Sequence, residues 1–432
     1  MLHLDDAHAR AEKLMSEWIE KKPVSWRILV VKDVLAKIRI VLWCPRKAWE
    51  SGSDEIDREL RRTATDYWSQ SVIQGQDRND PDGAWQDEAW QQAKRHESTN
   101  KLRILERHLG KSGWFEAPPE PPWNAKSRNK TAIVLFYSFK GGVGRSTALA
   151  ATALHFASLG GRVVVLDADL DAPGVASLLA GHDGATAPWG ILDYLLERRV
   201  CREMEPHTDD YHHRYADAGA LVAGDILVYP AGTLNEAYVD KLARIDYGNQ
   251  PDDSAHPFVT LLEQIRSEHA PRWILIDARA GLGEMSGFLT GGLCHLHVLL
   301  GTLADASWRG LELILERLGG NRVREGKPQA ECLTVASMVP QSDQSLFEQL
   351  VQRFTDRARD AFSAHYYAAP DGAPDTLWTL NDLESDDAPH VPVVLPYDER
   401  LATFRNLDEV AESILLGDSY EALARRIWIS VP

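Results

Sequence analysis

Cysteine is scarce in this sequence of 432 residues, which contains only four. They stand at positions 44, 201, 294 and 332, too far apart for a CxxC pair. The sequence therefore has neither a zinc-ribbon spacing nor a thioredoxin-like redox motif. Scattered thiols of this kind are typical of the reducing cytoplasm, which is the location that we predict.

Long apolar runs and excess positive charge are also lacking. No stretch reaches 18 consecutive apolar residues, so no transmembrane helix is expected. The net charge is −17, and nearly all of the acidic excess lies after residue 120. Because a negatively charged protein is repelled by DNA phosphates and by anionic lipid, this charge argues against non-specific DNA binding.

The C-terminal residues predict a short amphipathic helix. Tyr420, Leu423, Ile427 and Trp428 fall on one face, with two arginines nearby. A short helix with two arginines binds membranes weakly. We therefore predict a packed last helix rather than a stable membrane anchor.

A proline-rich span, residues 115–130, marks the clearest boundary in the chain. Its two proline pairs disfavour helix and central strand and predict a stiff, extended linker. On this basis residues 1–114 form a small α+β N-terminal domain, and residues 131–432 form a second domain.

Within the N-terminal domain, apolar spacing predicts a helix over residues 4–20 and a hairpin from strands 27–31 and 38–43. Residues 54–72 and 86–108 are predicted as further helices.

Tryptophan is concentrated near the N-terminus, since nine of the 14 tryptophans lie at or before Trp123. One interpretation is that they pack a small core, as tryptophan usually does. The other is a surface that binds a partner protein, since exposed aromatic residues anchor interfaces. We predict that an unidentified partner protein binds through this domain.

After the linker, runs of Val, Ile and Leu alternate with helical patterns. The predicted strands are 132–137, 162–166, 226–229, 273–276, 295–300, 333–339 and 391–395. The predicted helices include 146–159, 191–198, 258–265, 308–318 and 345–362. This alternation predicts an α/β fold with a mostly parallel, doubly wound sheet, whose ligands bind at the carboxyl ends of the strands.

A glycine-rich run follows the first of these strands and opens a helix. It reads Lys140, Gly141, Gly142, Val143, Gly144, Arg145, Ser146 and Thr147. Glycines let backbone N–H groups wrap a phosphate chain, and the positive end of the helix attracts the anion. The serine hydroxyl stands where a P-loop ligates Mg²⁺. The run therefore predicts a nucleotide-binding P-loop.

Two apolar strands deliver acidic residues to the same edge. The first, starting at Val163, ends in Asp167 and continues to Asp169 and Asp171. A carboxylate beside bound phosphate can accept a proton or orient water. The second strand, 273–276, ends in Asp277, the Walker B pattern that holds Mg²⁺.

The glycine-rich run resembles the deviant Walker A motif of the ParA/MinD ATPases, and the resemblance covers about residues 131–400. It implies that Lys140 reaches the nucleotide of a second subunit. It also implies that Asp169 orients the attacking water, while Ser146, Asp167 and Asp277 support the metal. Residues 141–147 would bind the phosphates.

Arg145 departs from the usual pattern of this family, which has lysine at that position. A subset of bacterial ParA-like proteins carries the KGGVGR form, and this chain resembles those. Arginine keeps the positive charge, so we expect ATP to bind. Because it is larger, planar and forked, the resemblance does not predict the rate of hydrolysis. Arg279, just after the Walker B pattern, could contact phosphate or pair with an acid.

The resemblance implies a Mg²⁺-dependent ATPase that dimerises when ATP is bound and acts on a partner protein as a switch. ATP is expected rather than GTP because no [NT]KxD guanine motif follows an apolar strand. Two alternatives stay open: an ATP-binding module with little or no hydrolysis, and an ATPase that positions DNA or cargo.

Overall fold

The computed structural model of the protein describes residues 2–76, 81–115, 120–124, 131–181, 184–201, 206–215, 222–245, 247, 255–370, 378–404 and 407–431. Two compact units divide the chain, Met1–Gly110 and Lys111–Pro432.

The first unit is built on one mixed sheet. Its helices are α1 (Leu4–Glu20), α2 (Trp49–Thr63) and α3 (Pro81–Gln92). Its strands are β1 (Arg27–Lys32), β2 (Ile38–Trp43), β3 (Trp68–Gln74), β4 (Lys94–His96) and β5 (Thr99–Glu106). Within the described residues the strand order is β3-β2-β1-β5-β4, with β1 antiparallel to β2 and parallel to β5.

Helix α1 and the hairpin occur as predicted, but both later helices of this unit were predicted too long. Residues 68–72 belong to β3, which pairs with β2, and residues 94–106 form the antiparallel pair β4 and β5. In β5, Leu102 and Leu105 are buried on opposite faces of the sheet. Pairing with distant strands overrode the local helical spacing.

Most of the tryptophans of the first unit are buried. Trp18, Trp26 and Trp68 pack in one core, and Trp43 and Trp90 pack on the other face of the sheet. Their burial is what the core interpretation predicts.

The second unit contains the remaining elements. Its strands are β6 (Ala132–Ser138), β7 (Val163–Ala168), β8 (His213–Arg214), β9 (Ile226–Tyr229), β10 (Trp273–Ala278), β11 (Leu296–Gly301), β12 (Cys332–Val339) and β13 (Val393–Pro396). Its helices are α4 (Ser112–Phe115), α5 (Arg145–Ser158), α6 (Val175–Leu178), α7 (Ile191–Val200), α8 (Glu236–Leu242), α9 (Pro257–His269), α10 (Glu284–Leu289), α11 (Asp305–Leu318), α12 (Gly320–Arg324), α13 (Gln344–His365), α14 (Arg400–Thr403), α15 (Ala411–Leu415) and α16 (Asp418–Ser430).

The sheet of the second unit confirms the predicted α/β class. Over the described residues its order is β13-β12-β11-β6-β10-β7-β9-β8, and every pairing except β8 with β9 is parallel. Apolar cores cover both faces, one with α7, α9, α11 and α13, the other with α5, α15 and α16. The register of β10 on β7 pairs Asp277 with Asp167, so two acids lie side by side at the carboxyl edge.

The predicted linker, residues 115–130, is only partly described, because 116–119 and 125–130 lie outside the described residues. The Trp114 indole donates a hydrogen bond to the Gly283 carbonyl at 2.7 Å, and Trp123 donates one to Thr131 at 2.7 Å. Glu120 pairs with Arg322 at 3.2 Å. Because these side chains pack within the second unit, the chain divides at Gly110, earlier than predicted.

Helix α16 packs on the P-loop helix. Leu423, Ala424 and Ile427 are buried, and the Trp428 ring centroid lies 5.5 Å from that of Trp273. The apolar face predicted for this helix therefore contacts α5 and β13. Among the described residues, no helix has the length and apolar character needed to cross a bilayer.

Candidate nucleotide and metal site

The glycine-rich loop connects β6 to α5 in an open conformation. Gly142 and Gly144 have φ angles of 71° and 75°, the left-handed region that other residues rarely adopt. A Cβ atom built on Gly141 or Gly142 would meet nothing within 4 Å. The loop thus leaves free space in front of the 14-residue helix α5, whose positive end favours an anion.

Two serines hold this loop in place. The Ser138 hydroxyl donates to the Lys140 carbonyl at 2.9 Å, and the Ser337 hydroxyl donates to the Val143 carbonyl at 2.6 Å. Sequence reasoning missed Ser337. Its position near the carboxyl end of β12 was the available signal, because parallel strands end at one edge of the sheet.

Arg145 bridges two of the predicted site acids. Its Nε donates to Asp277 Oδ1 at 2.5 Å, and its Nη2 donates to Asp169 Oδ2 at 2.9 Å. All three side chains are nearly buried. Burial alone would lower the pKa of Arg145, but the charges of Asp277 and Asp169 hold it above its ordinary value. The guanidinium therefore stays charged and balances two acids.

Ser146 contacts the same Walker B acid. Its hydroxyl donates to Asp277 Oδ2 at 2.6 Å, so Asp277 accepts from two neighbours in the first turn of α5. Thr147 follows in that turn and is half-buried.

Asp167 is fully buried beside Asp277. Its Oδ2 accepts backbone hydrogen bonds from Gly174 at 3.0 Å and Ala176 at 3.3 Å. Its Oδ1 has no hydrogen-bond partner among the described residues. Burial, with the nearby charge of Asp277, raises the pKa of Asp167 to about 8. A buried carboxylate oxygen without a partner fits a hard cation, which would satisfy it and displace the proton.

Arg279 pairs with acids of the loop after β7. Its Nη1 lies 3.2 Å from Asp171 Oδ2 and 3.9 Å from Asp169 Oδ1. The Ser286 hydroxyl fixes its backbone by donating to the Arg279 carbonyl at 2.7 Å. Of the two roles open to Arg279, the structure shows the acid pairing.

Lys140 is exposed and separate from the acids. Its Nζ lies 5.5 Å from the ring centroid of Phe139, and that ring packs against Gly310 of α11. The structure thus gathers Arg145, Ser146, Asp167, Asp169 and Asp277 at one edge of the sheet, while Lys140 faces outward from the loop.

Comparisons with known proteins found similar folds. A family model, ParA (NUBPL iron-transfer P-loop NTPase), matches residues 129–213. Solved structures that align include pNOB8 ParA, with 14% identity over 70% of this chain and 98% of that one, at a TM-score of 0.47. A ParA family ATPase from Chlorobium tepidum TLS has 15% identity over 69% and 98%, at a TM-score of 0.44. The comparison with curated proteins found no match.

A third similar structure is the septum site-determining protein MinD complexed with Mg-ADP from Pyrococcus horikoshii OT3. It has 16% identity over 69% of this chain and 98% of that one, at a TM-score of 0.40. The match of the family model spans the P-loop and the first acidic strand, and the second unit has the predicted mostly parallel sheet around them. The predicted resemblance to P-loop NTPases of the ParA/MinD type is therefore confirmed.

Proposed function

We propose that this chain binds and hydrolyses ATP with Mg²⁺ and uses the cycle as a dimerising switch that acts on a partner protein. The observation that supports this most is the meeting of Ser146, Asp167, Asp169 and Asp277 at the open end of the P-loop. Protein groups that can bind phosphate, Mg²⁺ and the attacking water would thus lie together at one edge of the sheet.

In this proposal the backbone of residues 141–144 and the start of α5 bind the phosphates. Ser146, Asp167 and Asp277 hold Mg²⁺, with the unpartnered Oδ1 of Asp167 as the feature that fits the ion. A bound Mg²⁺ would neutralise charge that develops on the phosphate oxygens. Asp169 would orient the attacking water and accept its proton.

Arg145 must move for this chemistry to proceed. It now pairs with Asp277 and Asp169, the acids proposed for metal and water. A nucleotide supplies negative phosphates that compete for the guanidinium. Binding would therefore draw Arg145 away from the acids and free them together.

The proposed homodimer rests on Lys140, which lies near the start of the anchored loop and is exposed. The N-terminal unit, with its own two cores, would report the ATP state to the partner. The four free cysteines support a cytoplasmic setting. Light scattering with ATP, ADP and no nucleotide tests the switch: mass should double with ATP alone, and equal masses would reject dimerisation.

A second candidate is an ATP-binding module with little or no hydrolysis. The observation that favours it is the two-sided pairing of Arg145, because lysine offers no planar fork and could not hold both acids in this way. Phosphate release separates the candidates. The module is favoured if the wild type releases no phosphate, with or without candidate partners, while the Arg145→Lys variant does release it.

An ATPase that positions DNA or cargo has less support. The net charge of −17 opposes non-specific contact with DNA phosphates. A gel-shift assay with ATP at low salt tests this alternative directly, because a weak electrostatic complex would be visible there.

A further inference from the structure

A histidine and acid cluster lies outside the nucleotide site, beside β8 and β9 at one side of the sheet. Asp209, His212 and His269 each offer one ligand atom, and these atoms lie within 4.8 Å of one another. His269 ends α9, four residues before β10 begins at Trp273, whereas Asp277 lies near the end of that strand. The length of β10 therefore separates His269 from the proposed Mg²⁺ site, and strand β7 lies between β10 and the strand β9 on which His212 packs.

The hydrogen bonding of His212 favours the tautomer that can bind a metal through Nε2. Its Nδ1 lies 3.0 Å from the Thr208 carbonyl, which can only accept, so Nδ1 donates and Nε2 keeps its lone pair in the neutral ring. This Nε2 lies 4.0 Å from Asp209 Oδ1. Metal-bound histidines commonly carry such a hydrogen bond from the second ring nitrogen to a carbonyl.

The second ring is held close to the first. The ring centroids of His212 and His269 lie 4.9 Å apart in an edge-to-face arrangement. His212 also stacks on Tyr229 with centroids 5.0 Å apart, and His269 Nε2 lies 2.9 Å from the Tyr229 hydroxyl. Both rings are therefore positioned by packing before any ion arrives.

We propose that Asp209, His212 and His269 form a zinc site that ties the segment before β8 to the C-terminal end of α9. Two imidazoles and one carboxylate are a donor set that Zn²⁺ takes, with a fourth position left for water. Bonds of about 2.0–2.2 Å require ligand atoms closer than the present 4.8 Å limit. Asp209 can supply that movement, because its side chain is 83% exposed.

Zinc titration of the full-length, chelator-treated protein without nucleotide tests this proposal. Calorimetry should show one Zn²⁺ per chain, and Co²⁺ should give the visible absorption of a four-coordinate site. Asp209→Asn and His212→Ala should each weaken Zn²⁺ binding by about tenfold or more, since even changes outside the ligand shell can cost that much. Zn²⁺ should raise the melting temperature of the wild type more than that of Asp209→Asn.

Two controls make the outcome decisive. His365→Ala removes another histidine paired with a carboxylate, at Glu316, and should leave Zn²⁺ binding unchanged. Asp277→Asn should also leave it unchanged, because that acid lies at the nucleotide edge. The proposal is overturned if wild type binds no Zn²⁺, if Asp209→Asn binds it as tightly as wild type, or if Asp277→Asn abolishes binding.

Discussion

Arg145 and Asp277 form a nearly buried ion pair at the mouth of the P-loop, with Arg145 Nε 2.5 Å from Asp277 Oδ1. The same guanidinium reaches Asp169 with a second nitrogen. The residue that departs from the usual ParA/MinD pattern is thus the one that neutralises both acids when no phosphate competes.

Replacing Arg145 by lysine should raise ATP turnover. A single ammonium group cannot make the forked contact with both acids, so Asp169 would be released. Loss of one charge-assisted hydrogen bond worth about 1.5 kcal/mol corresponds to a rate increase of about tenfold. Steady-state phosphate release at ATP concentrations well below KM measures this increase, because bound ATP would already draw Arg145 away from the acids.

Arg162→Lys is the matched control for this substitution. Arg162 pairs with Asp225 at the other edge of the sheet, and its replacement should leave turnover unchanged. Slower turnover in Arg145→Lys than in wild type would show that the guanidinium itself assists the reaction.

Ser146→Ala should weaken ATP binding when Mg²⁺ is present. The substitution removes a proposed metal ligand and the hydroxyl that donates to Asp277 at 2.6 Å. A loss of about 1–2 kcal/mol, or roughly tenfold in Kd, is expected. Calorimetry with Mg²⁺ and with EDTA measures it, and the loss should shrink in EDTA.

Ser158→Ala, at the far end of the same helix, is the control for Ser146→Ala. Its hydroxyl donates to the His155 carbonyl, away from the P-loop. ATP affinity should therefore stay at the wild-type value. An equal loss in both variants would point to a general weakening of α5 and remove Ser146 from the site.

A fragment of residues 111–432 should be more stable to heat than a fragment of residues 131–432. The shorter fragment loses Trp114, which contacts Gly287 and stacks with Arg317, and Trp123, which is buried in the main core. Deleting one large buried aromatic side chain costs about 3–5 kcal/mol. Thermal unfolding of both fragments tests this, and equal melting temperatures would show that these tryptophans add no stability.

The stability of the protein should fall as the pH drops from about 6.5 towards 4. Burial, with the charge of Arg322, lowers the pKa of His297 to about 4. In this pH range the unfolded chain binds a proton that the folded chain excludes, so acid favours unfolding. The shift corresponds to about 3 kcal/mol lost across that window.

His297→Asn tests the source of this pH dependence. The amide can still donate to the Glu331 carbonyl, as His297 Nδ1 does at 3.0 Å, but it cannot titrate. Melting temperatures measured from pH 4 to 7.5 should fall less steeply in the variant. A slope equal to that of wild type would assign the acid sensitivity to other groups.

The sequence was sufficient to predict the second unit because its signals are local. The glycine run, the apolar strands and the acids that end them follow one another along the chain. Pairing across the sheet is not local, so the sequence could not predict that Asp277 lies directly opposite Asp167 on the neighbouring strand. The same limit explains β3 and β5, whose helix-like spacing was overridden by partners elsewhere in the chain.

Side-chain direction was the other missing information. The motif predicted Arg145 beside a phosphate site, but only the rotamer in the structure turns it onto Asp169 and Asp277. The Ser337 hydroxyl likewise reaches Val143 across 194 positions of sequence. Interactions of this kind depend on packing of the whole sheet and leave no motif.

Asp169→Ala should abolish turnover while ATP binding and the ATP-bound dimer persist. Asp169 lies at the edge proposed for the metal but outside the loop proposed to bind phosphate, so its proposed role is confined to the transition state. Its removal also takes away the partner of Arg145 Nη2. That nitrogen becomes available to phosphate, and affinity should hold or rise.

Two further variants separate Asp169 from its neighbours. Asp171→Ala removes an acid two positions away that is 47% exposed and pairs with Arg279, and it should keep most of its turnover. Lys140→Ala should bind ATP as a monomer but lose the ATP-dependent increase in mass.

Kinetics and light scattering on the three variants together test these roles. In Asp169→Ala the loss should appear in kcat, with KM unchanged or lower. If Asp169→Ala hydrolyses ATP at the wild-type rate, another acid orients the water, and Asp171 becomes the first to examine. If Asp169→Ala and Lys140→Ala lose ATP binding equally, both residues hold the fold of the site and neither has the role proposed for it.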